Sequence, residues 1–138
     1  MKMQRCVVSI EGWQMQCCGN PFRIGENVEW FVCKYEETSV ITGCFLEYIY
    51  EAHGSDWQGI FKITGAVAGI KALFCSYEQR PSPYKNGAVV NYPVYERAID
   101  VEYADGWDAA VDGLDFNCYE VTLRDCTVRP MDDQTVPK

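Results

Sequence analysis

The sequence predicts a mostly β, β-rich α+β domain: a small closed or half-closed barrel decorated by one helix. Three observations predict it. Apolar residues alternate in short runs along the chain, at Val28, Trp30 and Val32, at Ile99, Val101 and Tyr103, and at Tyr119, Val121 and Leu123. Turn signals such as Gly25-Glu26-Asn27, Asn86-Gly87 and Asp105-Gly106 separate such runs. Helical spacing is found in one stretch alone, residues 42–53.

Taken in order, the first element is a short β-prone run from Cys6 to Ile10, ended by Glu11-Gly12. Phe22 and Ile24, then the Gly25 turn, then Val28, Trp30 and Val32 read as a hairpin with one buried face. From Thr42 to His53, Phe45, Tyr48, Ile49 and Ala52 fall at helical spacing. Thr42 is the expected N-cap, and Gly54 stands where a glycine stop is common. Phe61 to Tyr77 reads as a long β segment, with Gly69 at a bulge or bend that helps a small barrel close. Glu78 to Pro93, with three prolines, reads as a loop. Tyr95 to Tyr103 and Tyr119 to Leu123 supply the last strands. Residues 1–128 are expected to form one barrel-like domain, and 129–138 a polar C-terminal tail. A chain of 138 residues buries roughly two-thirds of its unfolded surface, so it needs neither metal nor disulfides merely to fold.

The patterns P-F-x-I-G-x-x-V-x-W, from Pro21, and G-x-V-x-x-I, from Gly65, resemble those of SH3-like barrels, an analogy of fold that carries no function. A longer likeness starts at Trp13. W-Q-M-Q-C-C-G-x-P-F-x-I-G-x-x-V-x-W resembles the opening of a bacterial family catalogued as a domain of unknown function. Glu51-Ala52-His53-Gly54, G-x-V-x-x-I-x-x-x-x-C from Gly65 to Cys75, Asp105-Gly106-Trp107 and "GLDFNCYEVTL" from Gly113 are similar to later parts of it. The resemblance spans most of the chain and implies no activity.

Composition bounds the function classes. A formal net charge of -8 argues against nucleic acid and against anionic membranes, which both call for a Lys/Arg surplus. It suits a basic protein partner. The apolar run near the N-terminus is too short for a signal peptide or a membrane span, so a cytoplasmic location is expected. The eight cysteines are then expected as reduced thiols, most of them buried. The common phosphate-loop, zincin and serine-hydrolase motifs are absent from the sequence, and the expectation leans away from an enzyme.

Two groups of residues are candidates for a site. Cys17 and Cys18 are adjacent thiols before a Gly-Asn-Pro turn. With His53 and Cys75 they make a donor set that zinc accepts, or a redox pair. Against this, metal sites usually space a close pair as C-x(2–4)-C, and adjacent residues on an extended chain point to opposite faces. Core packing is the plainer reading of such thiols. No cofactor is established by these patterns. The second group is an acidic run, Asp100, Glu102, Asp105, Asp108, Asp112 and Asp115, within sixteen residues free of Lys and Arg. Its spacing does not fit a calcium loop, and a solvated face that attracts a basic partner is the functional reading.

The leading expectation is a small non-enzymatic binding or interaction module with an acidic face, in the manner of an immunity protein that masks a basic toxin. One alternative is a thiol-based metal-binding or redox protein built on the vicinal cysteines. Another is a small-molecule-binding barrel with an aromatic pocket between barrel and helix.

Overall fold

The computed structural model describes residues 4–51 and 59–131. Its elements, in chain order, are β1 (Arg5–Glu11), α1 (Gly12–Cys17), β2 (Phe22–Arg23), β3 (Asn27–Thr38), β4 (Phe45–Tyr50), β5 (Ile60–Pro81), β6 (Val89–Val101), β7 (Tyr103–Ala104) and β8 (Asp115–Pro130). Five strands close into a mixed barrel in the cyclic order β1, β8, β5, β3, β4. Only the β1–β4 seam is parallel, with Val8 opposite Tyr48. The other four seams are antiparallel. β6 lies outside the ring on the far half of β5, and β2 pairs with β7 as a small separate ribbon.

Closure depends on β5. Its first part pairs with β3 from Ile60 to Ala66, and its later part pairs with β6 from Ile70 onward. Against β8 its register slips at Thr64/Ala66, at Val67/Gly69 and at Leu73/Phe74. Such bulges bend and coil a long strand, which lets one strand serve a ring and then an outer ribbon. The bend expected at Gly69 is therefore present. Inside the ring, Cys6, Val8 and Ile10 of β1 meet Val32, Ile63, Val67 and Ile70, and Tyr119, Val121 and Leu123 of β8. Their alternation with outward residues is the period-two pattern read from the sequence.

Several expectations need correction. Residues 42–53 do not form a helix where described: Phe45–Tyr50 is strand β4, and Thr42 sits in the preceding loop. His53 and Gly54 lie outside the described residues. The segment is aromatic and β-branched, and Leu46, Tyr48 and Tyr50 also fit a period of two. Pairing with both β1 and β3 decides between the two periods. The one helix among the described residues is α1, six residues long, too short to leave a periodic signal. The turn at Gly25 exists, but β2 and β3 do not pair with each other, so no hairpin forms there. The segment 78–93 is mostly strand: β5 and β6 continue as a ribbon joined by residues 82–88. Pro93 is accommodated opposite Tyr77 because β6 is an edge strand, where a missing N–H is tolerated. Finally, β8 runs through Arg129 to Pro130, and Met131 N–H donates to the Ile60 carbonyl at 2.8 Å, so the strand extends past the expected start of the tail.

Candidate functional site

The site is built around α1. The chain leaves β1 and turns at once into the helix at Gly12, where a side chain would press within 2.7 Å of the Asn117 carbonyl and the Phe116 ring. Three successive side chains then dock the helix. Gln14 is buried and donates from Nε2 to the Tyr50 carbonyl at 3.0 Å. Met15 is buried among the core residues. Gln16 donates from Nε2 to the Gly106 carbonyl at 2.7 Å. The last turn closes with the N–H groups of Cys18 and Gly19 both on the Gln14 carbonyl, at 2.8 and 3.0 Å.

This mooring extends into the loop between β7 and β8. Gly106 is held at φ +88, a left-handed conformation that favours glycine, and a Cβ there would lie 2.8 Å from Met15 Cβ. Its N–H donates to the Tyr119 hydroxyl at 2.9 Å, and that hydroxyl donates to Asp108 Oδ1. Burial, assisted by Asp105, raises the Asp108 carboxyl above the usual carboxylate range, while the Tyr119 hydrogen bond works in the opposite direction. Burial likewise raises the Tyr119 phenol.

Cys17 and Cys18 emerge exposed at the end of this helix as a vicinal pair with their sulfur atoms drawn together. The chain leaves the helix at Cys18, with φ -139 and ψ -7, so the alternation of an extended strand, which would set the two side chains on opposite faces, does not apply there. The other six cysteines are free. Burial, followed by Cys126, pushes the Cys6 thiol up to about 12. Burial, followed by Glu120, pushes Cys118 up to about 12. Burial also raises Cys75 and Cys33. Thiols so held are poor nucleophiles, because the thiolate is the reactive form.

Beside the pair lies a cleft of ≈ 310 Å³. Cys18 lines it together with the aromatic residues Phe22, Trp30, Phe31 and Tyr50. Trp30 meets Phe22 edge-on at 5.0 Å between ring centroids, and Tyr50 at 5.7 Å. Glu26, Glu29 and Glu51 supply its charge, and no Lys or Arg among the described residues lines it. The cleft reaches the helix only at its cap, Cys18, and no residue of α1 itself lines it, so it is not the aromatic pocket between barrel and helix that the sequence suggested.

The remaining candidates are dispersed. Cys75 is fully buried on β5, opposite Tyr95 and Asp115 in the ladder. Among the described residues no group of three or more Cys, His, Asp and Glu side chains could hold a metal ion, so Cys75 does not join the pair as a ligand. His53, the fourth expected donor, falls outside them. The acidic run is largely occupied with local structure. Asp100 pairs with Lys71 at 2.7 Å and Asp112 with Arg97 at 2.5 Å, cations that lie outside the run in sequence. Asp105 accepts from the Trp107 N–H at 2.8 Å, and Asp108 from Tyr119. Glu102 and Asp115 are exposed. No helix among the described residues is long and apolar enough to cross a membrane.

A family model described as a family of unknown function matches residues 4–125. The chain belongs to the DUF6578 family. The match takes in α1, the vicinal pair, the cleft and the first two-thirds of β8, so the likeness noted at Trp13 reflects family membership. No curated protein and no solved structure matches this DUF6578 chain.

The sequence did not single out Gln14, Gln16 or Glu29. Gln14 and Gln16 flank Met15 in a short polar stretch, and only docking shows that both amides are committed. Trp30 was legible as a core residue, and its place in the cleft wall was not.

Proposed function

We propose that this domain is a thiol–disulfide protein in which Cys17 and Cys18 cycle between dithiol and disulfide at the mouth of an acidic, aromatic cleft. One observation carries the reading: the two cysteines are exposed with their sulfur atoms drawn together at the end of a docked helix, while the six others lie apart and are buried or half-buried. The cleft favours a neutral or cationic reaction partner, because its charged residues are all glutamates. In a cytoplasmic setting, which we propose as its location, a disulfide is kept when it takes part in exchange. An acidic docking face has weaker support, since four of its six carboxylates are engaged locally.

In the forward step both thiols lose their protons, one S–S bond forms between Cys17 and Cys18, and the two electrons pass to a disulfide oxidant. That oxidant leaves as two thiols. Reduced protein incubated with cystamine, acid-quenched and then labelled with N-ethylmaleimide tests this. Cys17 and Cys18 are expected to lose label together while the six other cysteines keep it after unfolding. Full labelling of both after prolonged exposure would refute the proposal. Oxidised glutathione, an anionic disulfide, is expected to react more slowly than cystamine at low salt.

A further inference from the structure

A second cavity, of ≈ 180 Å³, lies on the outer face of the barrel, away from the cysteine pair. Tyr119 and Val121 of β8 point into the core, so Glu120 between them points outward, as does Ser9 of β1 directly opposite it. Leu73 of β5 is outward by the same alternation between Ala72 and Phe74. These three form the floor. Tyr95 of β6 stands at one side. Beyond its register shift between Lys34 and Glu37, β3 runs with the following loop over this face, bringing Tyr35 and Val40 to the cavity.

Glu120 is the unusual member. It is only 5% exposed, and a buried carboxylate is unfavourable unless its charge is answered. Among the described residues one side chain bonds it: Thr42 Oγ1 donates to Oε1 at 2.7 Å. Its ladder neighbour Lys71 hydrogen-bonds to Asp100 at 2.7 Å, and its charge also acts on Glu120, which it does not hydrogen-bond. Oε2 has no hydrogen-bond donor among the described residues, and Glu120 lines the cavity. The charged lining is Glu120 and Glu37, both negative. The rest combines hydroxyls, of which Ser9 is one, with apolar surface from Leu46, Leu73 and the tyrosine rings. The Tyr95 hydroxyl is already committed to Asn117 Oδ1 at 2.7 Å, which leaves its ring as what it presents.

From this geometry we propose that the cavity is a binding site for a small primary ammonium ion on a short apolar stem. Glu120 Oε2 and the hydroxyls take the ammonium protons, Leu46 and Leu73 take the stem, and the tyrosine rings add attraction for a cation. At a liquid water volume of ≈ 30 Å³, the space matches a ligand of about six non-hydrogen atoms. The site is distinct from the thiol–disulfide reading and does not depend on it.

The test is calorimetric titration of the whole chain, under reductant, with pentylammonium chloride, pentan-1-ol and sodium pentanoate. Pentylammonium is expected to bind at least about tenfold more tightly than the alcohol, the discrimination of one charge-assisted hydrogen bond, with pentanoate not binding. Glu120→Gln keeps the shape and an acceptor for Thr42, and is expected to erase that preference. Tyr35→Leu, at a half-exposed position, is expected to weaken pentylammonium selectively with the fold intact, and it carries the test if Glu120→Gln does not fold. Equal binding of amine and alcohol, amine binding unchanged in Glu120→Gln, or no amine binding at millimolar concentration would each overturn the proposal.

Discussion

Replacing Tyr119 by Phe isolates the contact that ties the β7–β8 loop and α1 to the barrel. The ring is fully buried and stays in place, so no cavity the size of a side chain opens. Only the hydroxyl is lost, and two groups lose a partner with it: the Gly106 N–H, bonded at 2.9 Å, and the Asp108 carboxylate. A hydrogen bond to a charged group contributes about 1.5–3 kcal/mol, and a buried donor left unpaired costs about 1–3 kcal/mol. Asp108 is half-buried and can turn partly to water, so the terms do not sum in full, and a loss of about 3 kcal/mol is expected. With an unfolding entropy of about 2.1 cal/mol/K per residue, the whole 138-residue chain has roughly 0.29 kcal/mol/K, and Tm should fall by roughly 10 °C. Urea unfolding followed by tryptophan fluorescence measures it, with the slope m unchanged. A loss below about 0.5 kcal/mol would refute the reasoning, because it would mean that neither partner depends on the hydroxyl.

Three further outcomes follow from the same geometry. Asp108 has a raised folded pKa, so its contribution to stability is fully present below the usual carboxyl value of 3.8 and is lost as pH rises through the folded value. Asp108→Asn retains an acceptor for Tyr119 and should therefore gain stability relative to the native chain at pH 7, with the gain vanishing near pH 3.8 in paired urea titrations. Gly106→Ala should destabilise by about 2 kcal/mol more than Gly113→Ala: both positions have positive φ, but only at Gly106 does a Cβ meet α1, and paired thermal melts read the difference. In the native reduced chain at pH 8, iodoacetamide should modify Cys6 and Cys118 slowest, since both thiols are pushed up to about 12, and unfolding should abolish the difference.

Much of the barrel was legible, and the reasons are local. Val28, Trp30 and Val32, like Tyr119, Val121 and Leu123, alternate because one face of each strand is buried, and burial of one face is what writes period two into a sequence. Gly69 was legible as a bulge because a glycine within an apolar run has few other uses. Residues 45–50 were misread because five aromatic and aliphatic residues around Glu47 satisfy both periods over so short a span. The ribbon continuing β5 and β6 was misread because its prolines break strands only where their N–H would be needed. The candidate site was half legible. Cys17 and Cys18 stood out by adjacency, whereas Glu120 looked like any polar residue on the outward side of an amphipathic strand.

The sequence by itself determined that this chain is β-rich, that β8 turns Tyr119, Val121 and Leu123 inward, and that two neighbouring thiols fall outside the pattern of core cysteines. Those properties depend on residues near one another in the chain. The tertiary structure decided which strands meet, that β4 is a strand, that α1 holds the cysteine pair beside a cleft, and that Glu120 is enclosed under the far end of β3. These features depend on partners distant in sequence: β4 gains its identity from β1, Gln16 from Gly106, and Glu120 from Thr42, 78 residues away. A periodicity records which face of a strand is buried, but it carries no record of what buries it.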